Sequence, residues 1–294
     1  MPNSQLKQAF ESGKFVVTSE AGPLKGTDIT ELEEIAKLLK GKVDAINVTD
    51  QQSSVMRLGS LAVCHLLTAW GVEPIYQLTC RDRNRIALQS DLLSAAVLGV
   101  QNCVALTGDL PSSGDHPQAK PVYDLDSVSL LSVIKGLNEG HDMMGNELKG
   151  GTDFFVGAVV NPGADTEASY ELQIIKMEKK IAAGAKFFQT QGIFDLNSFE
   201  KFIKRVEQYK VPVLAGVIPL KSAGAAKFMN KNVAGINIPQ AMIDRITKAE
   251  DKSKTGVEMC AELIKQLKSM CQGVHIMPIG WEKKVPQILQ AAGI

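Results

Sequence analysis

The sequence predicts a single (β/α)8 barrel occupying residues 1–294 as one domain. Short β-rich runs alternate with helical runs eight times, at nearly even spacing and with no break in composition. A doubly wound open sheet is the alternative. No GxGxxG follows the first strand and no Walker-type loop is present, so a dinucleotide or P-loop site is unsupported.

The first predicted strand is Phe15 to Glu20. A helix opens near Asp28, with Thr30 and Glu33 at capping-box spacing and Ile29, Leu32, Ile35, Ala36, Leu38 and Leu39 at helical periodicity. Strand two is Val43 to Thr49, with a helix from about Ser53 to Trp70; strand three is Pro74 to Thr79, with a helix through Leu98. Strand four is the run from Asn102 that ends in Thr107-Gly108-Asp109, where Pro111 stops it. Such a buried strand presents Asp109 at its C-terminal edge. A Pro-, Ser-, Gly- and Asp-rich loop then leads to a helix over Ser127 to Asn138. Strand five is Phe154 to Val160, apolar enough to be buried on both faces, and its helix spans Glu167 to Ala183. Strand six, Ala185 to Thr190, precedes a helix from about Asn197 to Tyr209. Strand seven, Val211 to Val217, is followed by more than one short helix. A helix from Gly256 to Met270, strand eight from Val274 to Pro278 and a helix from Val285 to Ala291 close the pattern.

Composition narrows the function classes. The 32 basic and 32 acidic residues balance to a net charge of +0, which removes the electrostatic signature of a nucleic-acid binder. No apolar stretch approaches the roughly 18 residues of a membrane span, and the N-terminus lacks a signal-peptide core. A cytoplasmic protein without membrane insertion is expected. The five cysteines, Cys64, Cys80, Cys103, Cys260 and Cys271, are odd in number and form no CxxC pair. They read as small buried hydrophobes rather than as disulfides or cluster ligands. The four histidines are too dispersed for a metal centre, and none is expected.

A barrel gathers the polar residues at its strand ends into one mouth. Glu20, Thr49 with Asp50, Gln77 with Thr79, Asp109, Asn161 and Gln191 all stand at such ends. Amides and carboxylates suit a heterocycle that carries both donors and acceptors, and Glu20 suits general acid work. Each also has a plain structural explanation: Glu20 and Asp109 as loop caps, Gln191 as a helix cap, Lys180 as a solvated helix-end lysine.

Several segments then match a known pattern in order. They are Ser19-Glu20-Ala21-Gly22-Pro23, Asn47-Val48-Thr49, Leu78-Thr79-Cys80, Ala105 to Pro111, Lys180 to Ala185 and Thr190-Gln191-Gly192-Ile193-Phe194-Asp195. The chain resembles the 5,10-methylenetetrahydrofolate reductases, most closely up to about Pro239. The resemblance implies a flavin-containing barrel that reduces 5,10-methylenetetrahydrofolate to 5-methyltetrahydrofolate. It implies Glu20 as the acid that protonates N10, Asp109 beside flavin and pterin, and Gln191 on the folate. It places Thr49, Ala158 and Lys180 on the flavin, Lys180 as a phosphate partner, with Gln77, Leu106, Thr107, Gly108 and Gln173 at further flavin-facing positions.

The chain departs from that pattern. Gln77 replaces a His, Thr107 an Arg and Gln173 an Asp, while Ala223-Gly224-Ala225 stands where a Phe packs on substrate and NAD(P)H. Losing an Arg lowers charge complementarity to a pyrophosphate, which sets FMN beside FAD as the expected flavin. Losing the Phe weakens direct use of NAD(P)H. The segment from His275 to Glu282 resembles reductases that work with an iron–sulfur or zinc-bearing partner subunit, and an oligomer is expected. Two other functions stay open: a pterin-binding methyltransferase-type barrel without flavin, and a non-catalytic subunit of a larger redox complex.

Overall fold

The structure, a computed structural model, describes residues 4–164 and 166–294. Eight parallel strands close into a barrel in chain order, with the last strand pairing to the first. The strands are β1 (Val16–Ala21), β2 (Ala45–Val48), β3 (Pro74–Thr79), β4 (Asn102–Leu106), β5 (Phe155–Val160), β6 (Phe187–Gly192), β7 (Val213–Val217) and β8 (Gly273–Ile276). Around them run α1 (Gln5–Glu11), α2 (Thr30–Leu39), α3 (Ser60–Ala69), α4 (Arg85–Val97), α5 (Ser127–Asn138) and α6 (Glu167–Ala182). The ring continues with α7 (Leu196–Val206), α8 (Ala223–Asn232), α9 (Gln240–Lys248), α10 (Lys252–Leu267) and α11 (Val285–Ala292).

Side-chain alternation along each strand divides the interior into layers. The lowest layer is apolar: Val16, Ala45, Ile75, Val104, Phe187 and Leu214 are buried there together. Gly157 makes room for it, because a Cβ at that position would lie 2.3 Å from the Phe187 ring. Two residues further along the same strands the interior turns polar, with Thr18, Asn47, Gln77, Gln189 and His275 all buried. Asn47 and Gln189 satisfy each other through reciprocal amide hydrogen bonds of 2.7 and 3.1 Å. A core at this height would favour Val or Leu. Paired amides instead leave the floor of the upper mouth rigid and polar.

Helix α1 lies outside the predicted pattern and seals the lower mouth. Leu6 is fully buried, and Phe10 packs on Phe155 and Phe187 at ring separations of 5.9 and 5.7 Å. Glu73 accepts the free N–H groups of Gln5 and Leu6 at the start of this helix, and Ser4 caps Lys7.

Other helices start on side-chain caps: Asn84 for α4, Asp126 for α5, Asp195 for α7, Ser222 for α8 and Asp251 for α10. Thr166 and Ser169 form a capping box on α6. The box expected from Thr30 and Glu33 does not form; Asp28 instead accepts the Thr30 N–H and hydroxyl at 3.0 and 2.6 Å. The helix expected from Ser53 is also corrected. Gln51, Ser53 and Ser54 adopt positive φ, so the chain makes a short 3-10 turn and α3 begins only at Ser60. Strand six starts later than expected and reaches Gly192, with a register irregularity against β7 between Gln189 and Gly192.

Candidate active site

The C-terminal ends of the strands surround a cleft of about 820 Å³. Glu20 enters it from β1, Thr49 from the end of β2, Gln77 from β3 and Leu106 from β4. The loop after β4 adds Thr107, Gly108 and Asp109, α6 adds Gln173 and Lys180, and β6 adds Gln191. The structure thus brings all but one of the sequence-predicted site residues to one wall or another of this cleft. The exception is Ala158. It is fully buried among the residues between barrel and helices, and its neighbour Val159 faces the cleft. Strand alternation is the reason: Phe155, Gly157 and Val159 share the inner face, so Ala158 points outward.

Glu20 is 9% exposed. Its Oε1 lies 3.4 Å from His275 Nε2, and His275 Nδ1 lies 2.9 Å from Thr18 Oγ1. His275 is a site residue that the sequence pattern left among dispersed histidines. The signal was available, since Val274 and Ile276 are outward apolar residues and His275 between them must face the interior. Thr49 is 3% exposed, and its Oγ1 has no partner among the described residues. Gln77 lends its backbone carbonyl to Ser60, while its side-chain amide, at the cleft wall, has no hydrogen bond among the described residues.

Asp50, by contrast, is spent on structure. It accepts the Thr79 N–H and hydroxyl at 2.9 and 2.8 Å and pairs with Arg83 through both carboxylate oxygens. Arg81, another cleft residue that the sequence pattern passed over, is likewise engaged by Asp82, Ser54 and the Gln51 carbonyl. It stabilises the loops around the mouth.

Asp109 does not stand at the strand edge itself. β4 ends at Leu106, and Asp109 is exposed on the loop beyond it. The loop is fixed through its backbone: Tyr123 OH and Ser54 Oγ donate to the Asp109 carbonyl at 2.8 and 3.0 Å. The carboxylate itself has no hydrogen bond among the described residues and borders the cleft. Gly108 adopts φ +94°, and a Cβ there would sit 3.0 Å from Arg81 Cβ, so this turn requires glycine. Thr107 accepts the Ser127 N–H at 3.2 Å, at the start of α5.

Lys180 lies under the cleft rather than in solvent. It is 9% exposed and donates to the Val159 carbonyl at 2.7 Å. Burial, with repulsion from Lys176, pushes its pKa down to about 8. Lys176 and Lys179 are exposed beside it on the same cleft wall. Gln191 keeps its Oε1 on the Gly192 N–H at 2.9 Å and borders a second cleft of about 420 Å³. The stretch Ala223-Gly224-Ala225 opens α8 and does not line the main cleft.

All five cysteines are buried, and burial raises every thiol pKa, so none is a ready thiolate. Among the described residues no group of three or more His, Cys, Asp or Glu side chains is placed to hold a metal ion. No helix among them is long and apolar enough to cross a membrane.

The family model for methylenetetrahydrofolate reductase matches residues 5–293. The chain belongs to the methylenetetrahydrofolate reductase family. The match runs well past Pro239, where the motif resemblance thins. "5,10-Methylenetetrahydrofolate reductase" of Pectobacterium carotovorum is 26% identical over 264 residues, covering 87% of this chain and 82% of that protein. "Probable methylenetetrahydrofolate reductase (NADPH)" of Caenorhabditis elegans is 25% identical over 279 residues, which is 90% of this chain and 40% of that protein. The chain therefore spans less than half the length of this eukaryotic relative. In fold it is similar to a Clostridium thermocellum protein described as binding two copies of 5-methyl-5,6,7,8-tetrahydrofolic acid. That similarity has a TM-score of 0.68 at 16% identity and covers 98% of both chains.

Proposed function

We propose that this chain is a flavin-dependent reductase that converts 5,10-methylenetetrahydrofolate to 5-methyltetrahydrofolate, with Glu20 as general acid. The observation that carries the proposal is Glu20 itself. It is a nearly buried carboxyl group on the cleft wall, with its Oε1 3.4 Å from His275 Nε2. Membership of the family and the folate bound by the Clostridium thermocellum protein support the substrate class.

The cleft fits a flavin. Among the described residues the buried Thr49 hydroxyl and the Gln77 amide have no hydrogen-bond partner, and together they offer an edge to the donors and acceptors of an isoalloxazine. Leu106 and Val159 add apolar wall, and Lys180, with Lys176 and Lys179, supplies positive charge for a phosphate. When bound and reduced, the flavin supplies a hydride to the exocyclic methylene carbon of the substrate. Glu20 gives a proton to N10 and helps the imidazolidine ring to open. Asp109 and Gln191 hold the pterin, and the rigid Asn47–Gln189 floor keeps the cleft dry from below.

FMN and FAD both satisfy this arrangement. Ala223-Gly224-Ala225 puts no aromatic ring on the cleft, and with the resemblance of residues 275–282 this favours delivery of electrons by an iron–sulfur or zinc-bearing partner subunit over direct use of NAD(P)H. Stopped-flow mixing separates the two, and slow flavin reduction by NADH and NADPH alone is the expected result.

Glu20→Gln tests the acid role. Flavin binding and reduction should persist, while turnover of methylenetetrahydrofolate falls by about 10²–10⁴-fold. Turnover at the wild-type rate would remove Glu20 from the mechanism.

A further inference from the structure

We propose that His275 is a positioning residue for Glu20: its Nε2–H engages Glu20 Oε1 and so directs the acidic proton to Oε2, the oxygen left to the cleft. The inference rests on Glu20 being the acid of the proposed reaction.

Strand register sets the arrangement. His275 on β8 pairs directly with Thr18 on β1, and Glu20 stands two residues further along the same inner face. The ring therefore spans two successive inward positions of its neighbour strand, with Nδ1 at 2.9 Å from Thr18 Oγ1 and Nε2 at 3.4 Å from Glu20 Oε1. On the other side, His275 is level with Gly216 of β7, which has no side chain to compete for it. His275 is 3% exposed and Thr18 fully buried, so water does not replace either partner.

The hydroxyl of Thr18 has one hydrogen, and among the described residues its only side-chain partner is His275 Nδ1. When that hydrogen goes to Nδ1, the ring carries its proton on Nε2 and presents it to Glu20. The opposite tautomer would set a nitrogen lone pair against Oε1, which repels once Glu20 is a carboxylate. With Nε2–H in place, Oε1 is an acceptor before and after proton transfer. In the step, the Glu20 Oε2–H bond breaks and the N10–H bond forms. The electron pair stays on Oε2, and the new carboxylate keeps its hydrogen bond through Oε1. That bond becomes charge-assisted as the proton leaves, so it strengthens along the reaction. The 3.4 Å separation is long for such a bond, as is common before substrate closes a site.

Four measurements decide the matter. In ¹⁵N-histidine NMR of the wild-type chain, the buried histidine should carry its proton on Nε2 and none on Nδ1; an Nδ1–H ring would overturn the proposal whatever the variants do. His275→Leu should lower kcat by about tenfold or more, leaving folate KM and flavin reduction within about twofold. His275→Gln, whose amide reaches the place of Nε2, should recover most of that loss. In a Glu20→Gln background, His275→Leu should add no further loss, because there is no acid left to position. Wild-type kcat in His275→Leu, or a full additive loss in the double variant, would overturn the proposal. If Glu20→Gln alone turns over normally, the acid assignment fails instead, and the two failures are thereby told apart.

Discussion

The two mouths of this barrel are made from the same strands and do opposite things. At the lower mouth, Val16, Ile75, Val104, Phe187 and Leu214 pack with Leu6 and Phe10 of α1 into an apolar layer. At the upper mouth, Thr18, Glu20, Thr49, Gln77 and His275 leave a cleft of about 820 Å³, and the buried Thr49 hydroxyl has no partner among the described residues. Two steps of two residues along β1, from Val16 through Thr18 to Glu20, cross from core to cleft. The proposed function thus places stability and catalysis at different strand positions, the arrangement usual in βα barrels.

Changes at the lower mouth should move stability and spare ligand binding, and changes at the upper mouth should do the reverse. The largest stability effect is expected at Phe187. Phe187→Ala empties a fully buried site and should cost about 3–5 kcal/mol in denaturant unfolding, with flavin affinity unchanged in the fraction that stays folded. A large loss of flavin affinity there would break the division.

Next comes Lys180. Its pKa of about 8 means that the free protein loses the ammonium charge as pH rises through 8, whereas a bound phosphate holds the charge in place. FMN affinity should therefore change little between about pH 7 and pH 8, where the phosphate monoester is already a dianion, and weaken above pH 8, approaching tenfold per unit by about pH 9. Lys180→Met should bind more weakly and lose this pH dependence. Titration by flavin fluorescence reads both, and an unchanged profile in the variant would assign the dependence elsewhere.

The smallest effect sharpens the contrast most. Thr49→Val removes a buried hydroxyl that has no hydrogen-bond partner among the described residues, so stability should hold or rise by up to about 1 kcal/mol. Flavin affinity should fall several-fold, about the worth of one hydrogen bond. A destabilised Thr49→Val with normal flavin affinity would make Thr49 a structural residue.

Much of this division was legible in the sequence, because it rests on alternation and on runs of apolar residues. β3 and the start of α5 coincide with expectation, and the strand-end polar residues do share one mouth. What was not legible depends on tertiary contacts. Helix α1 is only 7 residues long, and its Leu6 and Phe10 acquire meaning only beneath a barrel. Gln51, Ser53 and Ser54 carry no glycine-like signature, so a helix was expected where the backbone turns left-handed. Lys180 at a helix end reads as solvated until the Val159 carbonyl is placed beside it. Ala158 and His275 are different, since strand phase alone assigns Ala158 outward and His275 inward.

The most direct test of the polar mouth as a flavin and folate site is an anaerobic single turnover. The chain is reconstituted with FMN or FAD, reduced with dithionite and mixed with 5,10-methylenetetrahydrofolate. Return of the oxidised flavin absorbance, with an equal amount of 5-methyltetrahydrofolate formed, is the predicted result. A chain that binds neither flavin, or a reduced flavin that the substrate fails to reoxidise, would contradict it.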